Sequence, residues 1–270
     1  MGLRTAGRGL RALERGSDDL KAGLLNVHIH GSRREMGAAA GAAAAAAIRE
    51  ALAKHGEAGV VFAAAPSQNE TLDALVAAEG VDWPRVVAFQ MDEYVGADAG
   101  AYYSFRRYLK EHLVSRVPLK RFCEIRGEDD DPESAANEYA ALLTECPPSV
   151  CLAGIGENGH LAFNDPEVAD FKDPKDVKVV ELDSRSREQQ VADGLFASAD
   201  QVPRRAITLT IPRLFRIPTL IISVAGPRKR DAVRAALTGP VSENCPASIL
   251  RKHRLAHLFL DQEAAALIRT

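Results

Sequence analysis

"GVVFAAAPSQNETLDALVAAEGVDWPRVVAFQMDEYVG", residues 59–96, holds the order that decides the fold. An unbroken apolar run (59–65) passes into a turn and a helical stretch (66–80), and then into a second apolar run that ends in acid (84–96). A strand with one wet face alternates apolar and polar residues, whereas a strand covered on both faces has no reason to. The pattern therefore argues for a parallel sheet between two layers of helices.

The same order continues in both directions. Upstream, "EMGAAAGAAAAAAIREALAKHG" (35–56) is rich in the best helix former and ends on a natural stop, so it reads as one long helix packed closely through small side chains. Downstream, helices are expected at 102–114, 133–146 and 227–239. Strands are expected at 149–156, 177–182, 206–211, 219–226 and 256–261. No repeat and no Gly/Ser/Pro linker divides the chain. The expectation is an α/β, Rossmann-like, doubly wound fold: one domain over 23–270 with a mostly parallel sheet and helices on both faces. Residues 1–22 read as a leader or a first helix; position 6 is Ala, where a myristoylation signal would want Ser or Thr.

Composition excludes several classes. With 270 residues, 46% hydrophobic and 26% charged, the chain can bury a large core. A formal net charge of −3 gives no global electrostatic case for nucleic acid or an acidic membrane surface. No apolar run approaches the roughly 18 residues of a membrane span. The four cysteines (Cys123, Cys146, Cys151, Cys245) form no CxxC pair, which fits reduced thiols in a cytoplasmic protein.

In open α/β sheets, ligands bind beyond the carboxyl ends of the strands. Four expected strand ends carry unusual chemistry. "APSQNET" puts Ser67, Gln68 and Asn69 at a helix start, either as an anion site or as plain N-caps. "AGPRKR" puts Arg228, Lys229 and Arg230 in a first helical turn, where cations oppose the helix dipole unless an anion binds; the alternative is a solvated basic helix start. "MDEYVG" offers Asp92 and Glu93, and alternation along extended backbone sends one into the cleft and the other away. "GIGENGHLAFNDP" (154–166) sets His160 in a glycine-rich turn with Asp165 five residues on, placed to orient or charge it. Histidine titrates near neutrality and suits proton shuttling.

With "MDEYVG…YYSF" and "GIGENGHLAFNDP" both placed, the chain resembles glucosamine-6-phosphate deaminases, a family shared with 6-phosphogluconolactonases. The likeness runs from about residue 55 to the C-terminus and includes "QVPRRAITLTIP" (201–212) and "CPASIL" (245–250). Lactonases share the glycine–histidine turn but usually continue with Thr-Ala-Ser. The resemblance implies conversion of an amino-sugar 6-phosphate to a ketose 6-phosphate and ammonia, without metal or organic cofactor. It implies Asp92 as the carboxylate that moves the C2 proton to C1, His160 as the ring-opening acid/base, Asp165 as its paired carboxylate and Lys229 as a phosphate ligand. The implied partner is a small-molecule sugar phosphate, with no nucleic acid and no membrane, and the resemblance leaves room for a homo-oligomer.

Departures from the family pattern are specific. Asn158 stands where Asp is common beside the histidine, so His160 should be less basic. The Thr-Gly-Gly-Thr phosphate loop becomes "PSQNET", so Ser67, Gln68 and Asn69 match by position alone. An expected phosphate-gripping arginine is replaced near Gly194, with Arg185, Arg187 or Arg228 as substitutes. Two alternative functions are a sugar-phosphate lactone hydrolase and a non-catalytic sugar-phosphate sensor. A metal-dependent amidohydrolase is a rival through "NVHIH" (26–30), which would put His28 and His30 on one strand face, but the other histidines lack matching spacing.

Overall fold

The apolar runs become the middle of a nine-stranded sheet in the computed structural model, which describes residues 14–16 and 19–268. In chain order the elements are β1 (Glu14–Gly16), β2 (Asp19–Ala22), β3 (Leu25–His30), α1 (Arg33–His55), β4 (Ala58–Phe62), α2 (Asn69–Val76), β5 (Val86–Gln90), β6 (Asp92–Tyr94) and α3 (Phe105–Leu109). They continue with β7 (Arg121–Cys123), α4 (Pro132–Glu145), β8 (Pro148–Ala153), β9 (Val177–Glu181), α5 (Ser184–Ala192), β10 (Arg205–Leu209), α6 (Ile211–Phe215), β11 (Thr219–Val224), α7 (Arg230–Thr238) and β12 (Ala256–Asp261).

The large sheet runs β1-β2-β3-β12-β11-β8-β4-β5-β7. Pairings from β3 to β7 are all parallel, and β1 and β2 add an antiparallel margin. Successive residues feed opposite cores, as the pleat requires. Val60 and Phe62 of β4 pack with α1, α2 and α3, while Val61 between them packs with α4, α6 and α7. This is the doubly wound, mostly parallel α/β fold.

Helix α1 is rich in Ala and Gly where it lies very close to α2. A Cβ on Gly37 would sit 2.3 Å from Glu70 Cβ, and one on Gly41 would sit 2.5 Å from Ala74 Cβ. Ser32 caps its start by accepting from Glu35 N at 3.2 Å, and Gly56 closes its end at φ 80°.

Three readings of the sequence need correction. Residues 177–182 and 206–211 do form strands, but β9 and β10 belong to a separate antiparallel sheet ordered β6-β10-β9. The acids of "MDEYVG" do not close a strand of the large sheet: Asp92–Tyr94 is β6, a strand of that small sheet. The expected leader or first helix over 1–22 lies partly outside the described residues, and its described part is the β1/β2 pair rather than helix. That pair also covers β3, so "NVHIH" is an inner strand, with His28 stacked on Phe259 and bonded to His257 at 3.1 Å.

Candidate active site

Sheet topology fixes where a ligand can sit. From β4 the chain winds outward through β5 and β7, then returns to β8 beside β4 and winds the other way through β11 and β12. Loops leaving β4 and β8 therefore diverge, and a crevice opens at their carboxyl ends. A cleft of about 610 Å³, open to solvent, lies there. Its walls come from the segments after β4 (63–68), β5 (Met91, Asp92), β8 (154–156, His160) and β11 (Lys229), with α5 adding Gln189 and Gln190 and its C-cap adding Asp193. Asp92, His160, Lys229, Ser67 and Gln68 thus meet in one place.

Strand β6 separates its two acids as alternation demands. Asp92 lines the cleft at 7% exposure, and burial, followed by the nearby charge of Glu93, pushes its carboxyl up to about 8. Phe105 and Phe163, stacked 5.7 Å apart, form an apolar wall of the same cleft. Glu93 points the other way and is fully buried. It accepts from Tyr94 N (2.9 Å), Phe105 N (3.2 Å), Arg106 N (2.9 Å) and the Ser104 hydroxyl (2.7 Å). Phe105 N and Arg106 N are orphan donors in the first turn of α3, and Ser104 is its N-cap, so Glu93 is the anchor of that helix. Its carboxyl is also raised, by burial, against the pull of these hydrogen bonds.

His160 stands in the turn after β8 because Gly156 leaves room for it. A Cβ on Gly156 would fall 2.2–2.3 Å from three atoms of the imidazole. His160 Nδ1 lies 2.9 Å from Asp165 Oδ1 and 3.2 Å from the Ser186 hydroxyl. A carboxylate only accepts, so the neutral ring carries its hydrogen on Nδ1 and leaves Nε2 for the cleft. Asp165 is wholly buried; burial would raise its carboxyl, but bonding to His160, the charge of His160 and the donors Asn158 and Ser186 hold it down to about 2. Asn158 lies behind this pair, outside the cleft lining. Its Nδ2 donates to Asp165 Oδ1 (2.9 Å) and Asp183 Oδ2 (3.0 Å), while its Oδ1 accepts from His160 N (3.1 Å). Beside this turn, Ala162 holds φ 53° on the cleft wall, a left-handed conformation that costs a non-glycine residue about 1–3 kcal/mol.

The far end of the cleft is electrostatically balanced. Lys229 is 9% exposed, and burial lowers its ammonium against the opposing pull of Asp193 and Glu157. Arg228 is not among the lining residues: its guanidinium is held by Asp193 (2.5 Å) and Glu157 (3.1 Å). Asn69 also lies outside the lining, its Oδ1 bonded to the Tyr108 hydroxyl at 2.6 Å. Gln68 borders the cleft, but its amide is committed to Ser223, accepting from the hydroxyl at 3.0 Å and donating to the carbonyl at 3.4 Å. Arg228, Asn69 and the Gln68 side chain are thus placed as braces rather than as cleft-facing anion ligands. Arg187 is likewise drawn away, to Ala199 O at 3.3 Å, and Arg185 is not in the lining.

Sequence reasoning passed over α5. Ser186 touches His160, Gln189 accepts from Glu157 N (2.9 Å), and Gln190 and Asp193 face the cleft. A signal was present: "SRSREQQVA" has almost no apolar face, although a helix in this fold needs one to pack. Among the described residues, no group of three or more His, Cys, Asp or Glu is arranged to hold a metal ion. No helix among them is long and apolar enough to cross a membrane.

Comparison with known proteins shows the family. The profile of the glucosamine-6-phosphate isomerases/6-phosphogluconolactonase family matches residues 31–259. A glucosamine-6-phosphate deaminase of Listeria monocytogenes serotype 4a is 33% identical over 213 residues, 79% of this chain and 89% of its own. One from Streptococcus pneumoniae serotype 4 is 32% identical, covering 70% and 78%. A solved structure of a monomeric glucosamine-6-phosphate deaminase superposes with a TM-score of 0.82 at 27% identity, over 89% of this chain and 99% of that one. A 6-phosphogluconolactonase from Shewanella baltica OS155 shares the fold at a TM-score of 0.71 and 18% identity, over 87% and 97%. Cleft, topology and sequence agree: the chain belongs to the family of glucosamine-6-phosphate isomerases and 6-phosphogluconolactonase.

Proposed function

We propose that this protein is a glucosamine-6-phosphate deaminase-like enzyme that converts an amino-sugar 6-phosphate to the ketose 6-phosphate with release of ammonia. The observation that carries the reading is Asp92, a buried carboxyl raised to about 8, in one cleft with His160 and Lys229. Proton transfer between neighbouring carbons needs one positioned carboxylate of moderate basicity, and ring opening needs a second group able to give and take a proton.

Each role follows from placement. His160, with Nδ1 tied to Asp165, uses Nε2 to move the proton that opens the pyranose ring. Asp92 removes the proton from C2 of the open chain and returns it to C1. The carbon bearing nitrogen becomes an imine, and water then converts it to the ketone and ammonia. Lys229 and the turn at Ser67, both on the cleft wall, hold the phosphate. The residues do this without calling on metal or organic cofactor. Four free cysteines favour a reducing, cytoplasmic setting.

A coupled ammonia assay across glucosamine, galactosamine and N-acetylated 6-phosphates tests the reading. Glucosamine 6-phosphate should yield ammonia with wild type and none with Asp92→Asn. Tight binding of that sugar without ammonia release refutes it. Faster hydrolysis of 6-phosphogluconolactone in the same preparation would instead favour the lactone hydrolase.

A further inference from the structure

Asp183 plays no part in the chemistry above, yet it closes the network behind His160. It is the N-cap of α5, and its two oxygens do different work. Oδ1 accepts from Ser186 N at 2.5 Å, and Oδ2 accepts from Asn158 Nδ2 at 3.0 Å. Asp183 N in turn faces Asp165 Oδ2 at 3.5 Å. Three donors converge on Asp165 Oδ1: the imidazole, the Ser186 hydroxyl and the Asn158 amide.

The chemistry at position 158 is therefore constrained. A side chain there must give one hydrogen to each of two carboxylates and accept a third bond from His160 N. A primary amide does all three; a carboxylate has no hydrogen to give and would add a third negative charge to the group. The charge that the resemblance leads one to expect at 158 is present, displaced to 183.

We propose that Asp183 is a positioning residue that acts with Asn158 to hold Asp165, and through it His160, in the reacting orientation. The pair works as a unit: Asp183 fixes the Asn158 amide, and the amide fixes Asp165. The charged groups facing His160 from this side are then Asp165 directly and Asp183 through Asn158. Glu157, though adjacent in sequence, is turned to Arg228. The inference rests on the deaminase reading for its kinetic consequence, but its structural content does not depend on any substrate.

The test is the reciprocal exchange Asn158→Asp, Asp183→Asn and the double variant. Asn at 183 keeps the helix cap. Asn158→Asp should lower kcat about tenfold or more with little change in KM, as loss of orientation does. It should also raise the His160 titration midpoint, followed by imidazole NMR without substrate, by about one unit or more. Asp183→Asn should lower kcat with two amides opposed. The double variant pairs the charge at 158 with an amide at 183 but still gives Asp165 no donor, so its kcat should fall no further than that of Asn158→Asp, short of the product of the two single losses, and its midpoint should lie below that of Asn158→Asp.

Independence of the two sites overturns the proposal: a double variant no better than the product of the singles, or an imidazole midpoint unmoved by either single. If Asn158→Asp does not fold, an Asp183→Asn variant with wild-type kcat and imidazole midpoint overturns it equally. A wild type that releases no ammonia while the NMR midpoints follow the exchange refutes the deaminase reading and leaves the positioning role standing.

Discussion

Replacing Asp92 with Asn should make the protein more stable as it removes activity, and only above acid pH. Burial and Glu93 raise the Asp92 carboxyl from 3.8 to about 8. A raised carboxyl binds its proton more tightly when folded, so the ionised form opposes folding. Stability is then lost as pH rises from about 4 to about 8, and is level on either side. At pH 7 about three pH units of that window have been crossed, and at about 1.4 kcal/mol per unit the cost is about 4 kcal/mol. Asn has the same shape and no charge to ionise, so Asp92→Asn should recover most of this at pH 7–8 and almost nothing at pH 4. For a chain of this size that is a rise in melting temperature of roughly 8 °C or more. Thermal unfolding of both proteins at pH 4, 5.5, 7 and 8.5, beside ammonia release, measures it. A stability difference that does not change with pH would refute the assignment of a buried, proton-holding carboxyl. The same titration leaves only about a tenth of free wild type in the base form at pH 7, so kcat/KM should climb as pH approaches 8.

Two further substitutions probe how the site is built. Gly156→Ala drives a methyl into the His160 ring and should lower kcat by about 100-fold, since a displacement of about 1 Å is enough for that, while the far-ultraviolet spectrum stays native; wild-type turnover would show that the imidazole is not the reacting group. Glu93→Ala leaves the start of α3 without its acceptor and should cost about 3 kcal/mol or more in urea unfolding; a loss below about 1 kcal/mol would mean that solvent replaces the anchor.

The parallel sheet and its four chemical strand ends were legible because burial on both faces and strand-end loops leave local marks. Val60, Val61 and Phe62 in a row can only be a strand enclosed on both sides, and Asp92 and Glu93 in extended backbone must face opposite ways. The fate of Asn69 and Arg228 was not legible. Each sits in the right loop, but Tyr108, Asp193 and Glu157 draw them from the cleft, and nothing near them in sequence announces those partners.

By itself, then, the sequence determined which runs are buried strands, where the longer covering helices lie and which side chains stand at the strand ends, since periodicity and capping act over a few residues. Tertiary structure decided what those side chains meet. It moved β6, β9 and β10 into a second sheet, brought the polar face of α5 to His160, and set Asp183 within reach of Asn158 across 25 residues of chain. Hydrogen bonds and charges act over about 3–4 Å in space whatever the separation along the chain. An amide at 158 therefore looks like a missing charge in the sequence and stands between two carboxylates in the fold.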